Sequence, residues 1–320
     1  MNVALMGSVS SSFHALQALL RANIELTGVL GLDEALAESV ADYRSLRGTA
    51  LKAGLPFQSF RRVSEPAVFD FLRGHAPDLL WVIGLSQLVS PDLLHIARHG
   101  GVGFHPTILP RGRGRAPVAW TILLGERAAV NVFFLSEIAD AGDIIVQREV
   151  PVLPDDYAQD LIDRTNAVLE ETIVELAPRI QAGDLPRSPQ DHGKATYYPR
   201  RTAVDGLIDW TRSTDSIYRL IRASSRPYPG AFSFCESGRV TIWRARPAKR
   251  EDMLSSDSNR LGVIVGVDAQ NRPLVATADG GLWLTETEID RNPASPVPAL
   301  QPGSRFQSTR AEDAAKSIQA

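Results

Sequence analysis

The sequence predicts an α/β chain in two parts: a doubly wound, mainly parallel sheet over residues 1–190, then a small β-barrel over residues 200–300. Three observations carry this. Short apolar runs alternate with stretches of helical spacing as far as Gln181, the pattern of strands joined by helical crossovers. Glycine, proline and polar residues dominate Ala182–Arg200, which reads as a linker. Beyond it come several short strand-like runs separated by turns.

Taken in order, Asn2–Gly7 is an apolar run ending in glycine, a buried strand entering a turn, and Ser8–Ser12 supply capping chemistry for a helix over Phe13–Arg21. Ile24–Leu32 is a second strand, Glu38–Ala53 a helix, Pro56–Phe60 extended and Ala67–Gly74 helical. Leu79–Ile83, bounded by Asp78 and Gly84, is apolar on both faces and reads as a central parallel strand. A helix over Pro91–Arg98 and a strand over Gly101–His105 follow, then a turn-rich stretch to Pro117. Val118–Leu124 is helical, and strands Ala129–Leu135 and Ile144–Pro151 flank the loop Ser136–Gly142. Asp155–Gln181 reads as a long helix from a Pro-Asp-Asp cap. In the second part Leu207–Trp210, Phe232–Phe234, Val240–Ala245, Leu261–Val267, Pro273–Ala276 and Gly281–Thr287 are strand candidates, and Thr214–Ala223 a helix. Residues 301–320 read as a polar, mobile tail.

The 320 residues carry a formal net charge of -3, which argues against binding nucleic acid by non-specific phosphate attraction. The single cysteine, Cys235, can form neither an internal disulfide nor a thiolate metal site, and no metal-ligand cluster stands out. No apolar run approaches the roughly 20 residues of a membrane span, and the N-terminus lacks a signal-peptide pattern. A cytoplasmic protein is expected.

The densest chemistry lies between Gly101 and Asp143. His105 ends a strand immediately before Pro106, where the ring can project into the crevice at the sheet's carboxyl edge. Asp140 sits in the loop Ala139-Asp140-Ala141-Gly142-Asp143 and can orient a histidine and favour its charged form. The pair suits acyl transfer, although its spacing alone is weak evidence.

The run His105-Pro106-Thr107-Ile108-Leu109-Pro110-Arg111-Gly112-Arg113-Gly114-Arg115-Ala116-Pro117 resembles the His-x-Ser-Leu-Leu-Pro-x-x-Arg-Gly-x-x-Pro signature of the folate-dependent formyltransferases. Asp140-Ala141-Gly142-Asp143 matches that family's Asp-x-Gly-Asp loop. Asp205–Trp210, Arg222-Ala223 and Pro227–Phe232 look like the opening of its C-terminal domain. The resemblance implies a Rossmann-like domain and an OB-like barrel, with 10-formyltetrahydrofolate as formyl donor. It makes His105 and Asp140 the catalytic pair. It implies folate contacts along Gly84, Leu85, Ser86 and Leu88, and along Ile138, Ala139 and Asp143.

One family residue is absent. The asparagine of the family's Asn-x-His is Gly103 here. Asparagine is a poor strand former, yet Asn131 stands in Val130-Asn131-Val132, where relatives carry Ser or Thr. A paired departure of this kind makes Asn131 a candidate replacement for the missing catalytic donor.

Arg113-Gly114-Arg115-Ala116-Pro117 and Ala139-Asp140-Ala141-Gly142-Asp143 look more like the amino-sugar formyltransferases than the methionyl-tRNA enzymes. A nucleotide-linked amino sugar is therefore the expected acceptor, contacted by Thr107, Arg115, Tyr198 and Arg201. Three alternatives stay open: a methionyl-tRNA formyltransferase, a 10-formyltetrahydrofolate hydrolase, and an inactive folate-binding module.

Overall fold

A computed structural model of the chain describes residues 1–236, 238–253, 260–291 and 300–307. The chain divides into two compact units. The first comprises Met1–Thr121, Arg127–Val152 and Asp160–Arg200; the second comprises Ile122–Glu126, Leu153–Gln159 and the chain from Arg201 on.

Along the chain to Arg200 the order is β1 (Val3–Gly7), α1 (Ser10–Arg21), β2 (Leu26–Leu32), α2 (Arg47–Lys52), β3 (Phe57–Phe60), α3 (Pro66–His75), β4 (Leu79–Ile83), α4 (Pro91–Leu94), β5 (Gly101–Thr107), β6 (Arg113–Gly114), α5 (Pro117–Leu124), β7 (Ala128–Phe134), β8 (Ile144–Val150), α6 (Ala158–Ala182) and β9 (Tyr197–Tyr198). Seven strands form one sheet in the order β3-β2-β1-β4-β5-β7-β8. The first five are parallel; β7 pairs antiparallel with β5, and β8 antiparallel with β7. Every residue of β1 and β4 is buried, as a central strand covered on both faces requires. On one face Ala4, Met6, Leu30, Leu32, Leu80 and Val82 pack with Val68, Leu72, Leu93 and Leu94 of α3 and α4. Each Val, Leu or Met among them contributes about 1.5–3 kcal/mol when fully buried.

The doubly wound expectation holds, with two corrections. Glu38–Ala53 is not one helix. A 3₁₀ turn over Glu34–Ser39 is capped by Asp33, Asp42 takes a left-handed φ of 62°, and only Arg47–Lys52 is α-helical. The segment between pairs with the β1–α1 turn through a Val9–Tyr43 bridge, so tertiary pairing overrides local propensity. The expected linker Ala182–Arg200 is not a free crossing segment. Its Tyr197-Tyr198 pairs in parallel with Arg113-Gly114, and its Ser188 bridges Ile144 of β8.

The second unit holds α7 (Thr214–Ser224) and the antiparallel strands β10 (Ala231–Cys235), β11 (Gly238–Pro247), β12 (Ile264–Val267), β13 (Pro273–Ala276) and β14 (Gly281–Arg291), ordered β10-β11-β14-β13-β12. Leu207–Trp210 makes a single bridge, Leu207 to Phe232, instead of a strand. Residues 301–307 are not a loose tail. Gln307 bridges Phe234 on β10, and Arg305 bridges Val263 just before β12. This short segment thus links the two edges of the sheet, and Phe306 stacks on Trp210 within the core, ring centroids 5.1 Å apart. The rest of the expected tail lies outside the described residues. Among the described residues no helix is long and apolar enough to cross a membrane.

Candidate functional site

The site grows from the point where β5 stops being regular. His105 lies opposite Asn131 in the β5–β7 ladder, and the register slips between His105 and Thr107. Pro106 has no N–H to donate, so the ladder cannot continue across it. The carboxamide of Asn131 fills the gap: its Nδ2 donates to His105 O at 2.8 Å and, by a shorter contact, to Thr107 O. Its Oδ1 accepts from Gln147 Nε2 at 2.6 Å, and Gln147 also donates to Leu109 O. A wholly buried asparagine in a strand is therefore explained by the backbone it satisfies.

This corrects the expectation for Asn131. Its amide is engaged by β5 and the turn, and it does not reach the space beside Gly103. A Cβ on Gly103 would lie 2.8 Å from Leu135 Cδ2 and 3.2 Å from Phe133 Cζ, so apolar side chains fill that space.

His105 is buried, and its Nε2–H donates to Gly112 O at 2.7 Å. A carbonyl oxygen only accepts, so this contact places the ring proton on Nε2. Nδ1 is then the ring nitrogen that can take up a proton, and it faces Asp140 Oδ2 at 3.7 Å. That distance exceeds a direct hydrogen bond. Asp140 arrives by a long route. Because β7 is antiparallel, its following loop leaves the sheet beside Gly101, where Leu135 N donates to Gly101 O. The loop must return along the sheet to bring Asp140 to His105. It does so with Asp140 in the left-handed region, φ 57°, which disfavours a residue with a Cβ. Gly114 N holds the carboxylate, donating to Oδ2 at 2.8 Å. Gly142 passes so close to β7 that a Cβ there would lie 1.8 Å from Phe134 O; only glycine fits.

The other expected site residues divide. Gly84 has φ 59°, and a Cβ there would meet Val9 Cγ2 at 2.2 Å. Its carbonyl accepts from Ser8 Oγ at 2.8 Å, so the loop from Gly84 starts in a fixed position. Leu85 is half-buried, Ser86 is exposed, and Leu88 is 83% exposed. Ile138 is 60% exposed and Ala139 is exposed. Asp143 pairs with Arg187 at 3.5 Å. Arg115 donates to Ser86 O at 3.3 Å, joining the turn to the Gly84 loop.

Thr107 and Tyr198 are buried structural parts and do not line an open groove. Thr107 Oγ1 donates to Arg111 O at 2.9 Å, closing the turn. Tyr198 packs over Gly112 and stacks with Trp120, ring centroids 5.9 Å apart. Its neighbour Tyr197 is the exposed one. Arg201 belongs to the second unit, where it donates to Asp205 O at 2.9 Å; burial pushes its guanidinium pKa down.

Two residues at the site went unread in the sequence. Arg113, inside the motif, is 1% exposed, and its guanidinium holds the side chain of Gln190. Gln190 in turn donates to Asp140 O at 2.9 Å and Gly142 O at 2.7 Å. Arg113 had a signal, its place in the signature; a glutamine in a proline- and serine-rich stretch had none.

Known proteins share both parts of this fold. The family described as formyl transferase matches residues 35–176, and the formyl transferase C-terminal domain matches residues 201–303. HypX from Aquifex aeolicus, solved in complex with tetrahydrofolic acid, superposes with a TM-score of 0.63 at 19% identity, covering 90% of this chain and 44% of that chain. The present chain thus spans about half the length of HypX. WlaRD, a sugar 3N-formyl transferase solved in the presence of dTDP and 5-N-formyl-THF, gives a TM-score of 0.62 at 14% identity, covering 97% of this chain and 99% of that one. A methionyl-tRNA formyltransferase from Clostridium thermocellum gives 0.58 at 18% identity, covering 78% and 94%. At these identities the likeness is one of fold.

Proposed function

The chain belongs to the formyl transferase family, and we propose that it moves a formyl group from 10-formyltetrahydrofolate to the amine of a nucleotide-linked amino sugar. The observation that carries the transfer chemistry is the His105–Asp140 pair. One ring nitrogen is committed to Gly112 O, and the other faces a carboxylate across 3.7 Å.

The donor fits the residues present. Gly84 gives a tightly packed backbone cradle, and Leu88 and Ile138 expose apolar surface that suits a flat heterocycle. Solved relatives with tetrahydrofolic acid or 5-N-formyl-THF support this reading. When bound, the donor supplies an electrophilic formyl carbon.

The residues then have distinct tasks. The attacking amine must lose a proton, and Asp140 Oδ2 and His105 Nδ1 are the groups placed to receive it. Protonated at Nδ1, the ring becomes an imidazolium beside a carboxylate, which stabilises it. That cation offsets the negative charge growing on the formyl oxygen. The same proton is available to the departing folate nitrogen. Gly112 O prevents the ring from turning away.

The sugar acceptor is supported by the exposed Arg115, whose guanidinium suits a phosphate, and by the near end-to-end match with WlaRD. Residues 201–320 carry only a slight excess of basic over acidic residues, small for a tRNA-binding surface. A second reading, hydrolysis to formate, is favoured by Gly103: no side chain there can hold the formyl oxygen, and Leu135 and Phe133 fill the space.

The test is the fate of labelled 10-formyltetrahydrofolate with nucleotide-linked 3-amino and 4-amino sugars, methionyl-tRNA and no acceptor. Transfer to an amino sugar supports the proposal. Formate at equal rates with and without acceptors replaces it with hydrolysis, and transfer to methionyl-tRNA alone replaces the acceptor.

A further inference from the structure

Arg113 is among the largest wholly buried side chains, yet among the described residues no carboxylate lies within ion-pair distance of it. Its partners are neutral. Nε and Nη2 both donate to Gln190 Oε1, at 3.3 and 2.7 Å. Nη1 donates to Tyr197 OH at 3.1 Å, and Nη2 also donates to His192 Nδ1 at 3.2 Å. A buried cation without an anion is costly and calls for a reason.

The reason lies one residue away. A guanidinium can only donate, so the atom of Gln190 facing it must be the oxygen. The Gln190 NH₂ is thereby turned the other way, where its two hydrogens meet Asp140 O and Gly142 O. Those carbonyls flank the peptide units that hold Asp140 in its left-handed conformation. Gly114, the residue after Arg113, fixes the carboxylate of the same Asp140 through its N–H. Both ends of Asp140 therefore hang from the Arg113-Gly114 strand. That strand is itself pinned by the segment beyond α6, through the Arg113–Tyr197 and Gly114–Tyr198 pairing.

We propose that Arg113 and Gln190 form a buried brace whose task is to position Asp140 against His105. They are positioning residues: neither reaches the reacting atoms, and both act through the Asp140 loop. A neutral residue in place of Arg113 would leave the Gln190 amide free to flip, which would set its oxygen against two carbonyls. The proposal rests on the formyl-transfer reading for its kinetic consequence, though not for its geometric one.

The test uses the full chain, with His105 followed by its imidazole ¹⁵N resonances, identified by their loss in H105Q. D140N sets the scale: it removes the carboxylate that faces Nδ1 and so moves the Nδ1 resonance. The double variant R113M/Q190M removes the brace without leaving an unpaired buried charge. Its Nδ1 resonance is expected to move toward its position in D140N, and kcat to drop by about 10²-fold, as misplacement of a reacting group by about 1 Å does. The KM for 10-formyltetrahydrofolate is expected to stay close to that of the wild type. A folded double variant with a wild-type Nδ1 resonance overturns the brace.

Should the double variant fail to fold, Q190E decides. It keeps an acceptor for Arg113, in fact an ionised one, but has no N–H for Asp140 O and Gly142 O. Faster hydrogen exchange at the Ala141–Asp143 amides, by about tenfold or more, supports the proposal, and unchanged exchange refutes it. The resonance and exchange readouts need no acceptor. A wild-type protein that transfers formyl to nothing would therefore sink the proposed function while leaving the brace testable, and the converse also holds.

Discussion

The first unit contains two histidine–carboxylate pairs, and they differ in almost every respect. His14 Nδ1 and Glu170 Oε1 are 2.5 Å apart, and Arg21 donates to the other carboxylate oxygen at 2.9 Å. Burial raises the Glu170 pKa, but the hydrogen bonds from His14 and Arg21 outweigh it and the net effect is downward. That pair is short and partly exposed, and the Glu170 carboxylate has both oxygens engaged. His105 and Asp140 are more buried and 3.7 Å apart, and each has its remaining contacts on backbone groups, Gly112 O and Gly114 N. Under the proposed function the closer pair is the inert one: a pair that moves protons needs a fixed orientation and an unfilled gap between its partners, both of which a tight surface ion pair lacks.

The comparison can be broken most forcefully at Asp140. D140N should lower kcat by about 10²–10⁴-fold with little loss of stability, whereas E170Q should leave kcat at the wild-type value. Equal effects in steady-state assays would show that the two pairs had been wrongly distinguished.

Gly103 sharpens it next. Introducing asparagine alone crowds Leu135 and Phe133, and overpacking of this kind costs about 1–3 kcal/mol. G103N/L135A relieves the closest contact and restores a side-chain donor. A single such donor for a developing oxyanion contributes about 10²–10³ in kcat, so the double variant should be faster in transfer than G103N, read as labelled formyl-acceptor product. No gain would mean the wild-type site already stabilises the formyl oxygen by other groups.

Asn131 gives a stability effect. N131L leaves His105 O and Thr107 O without their donor, at about 1–3 kcal/mol for each buried group left unsatisfied. Tm should fall, and turnover should fall with it because the strand carrying His105 is no longer held. A wild-type Tm with abolished turnover would return Asn131 to a direct catalytic role.

The smallest effect belongs to the other pair. Because the Glu170 pKa lies below its ordinary value, its ionised form stabilises the fold above the usual carboxylate range, and this is lost as pH falls through the lowered value. For a partly exposed pair the contribution is about 0.5 kcal/mol. Denaturant unfolding of E170Q and wild type should differ slightly at neutral pH and converge in acid.

What could be read from the chain followed a physical divide. Leu79–Ile83 announced a central strand because five consecutive buried residues need five apolar side chains, a demand met locally. His105, Asp140 and the glycines around them were legible because their chemistry restricts residue type: Gly142 permits no Cβ, and Pro106 marks the end of a ladder. The Glu38–Ala53 segment was misread because its backbone is set by pairing with Val9 and not by its own spacing.

The sequence by itself determined the α/β class with its two-part organisation and pointed to His105 and Asp140, since these follow from patterns within a few residues or from motifs that only certain side chains satisfy. Only the tertiary structure decided the work of Asn131, Arg113 and Gln190. Each is a polar residue whose partners lie 16 to 84 residues away, and hydrogen bonds at that range leave no period or spacing in the chain. The same holds for Phe306, which a polar composition assigned to a tail and which its stacking on Trp210 places in the core.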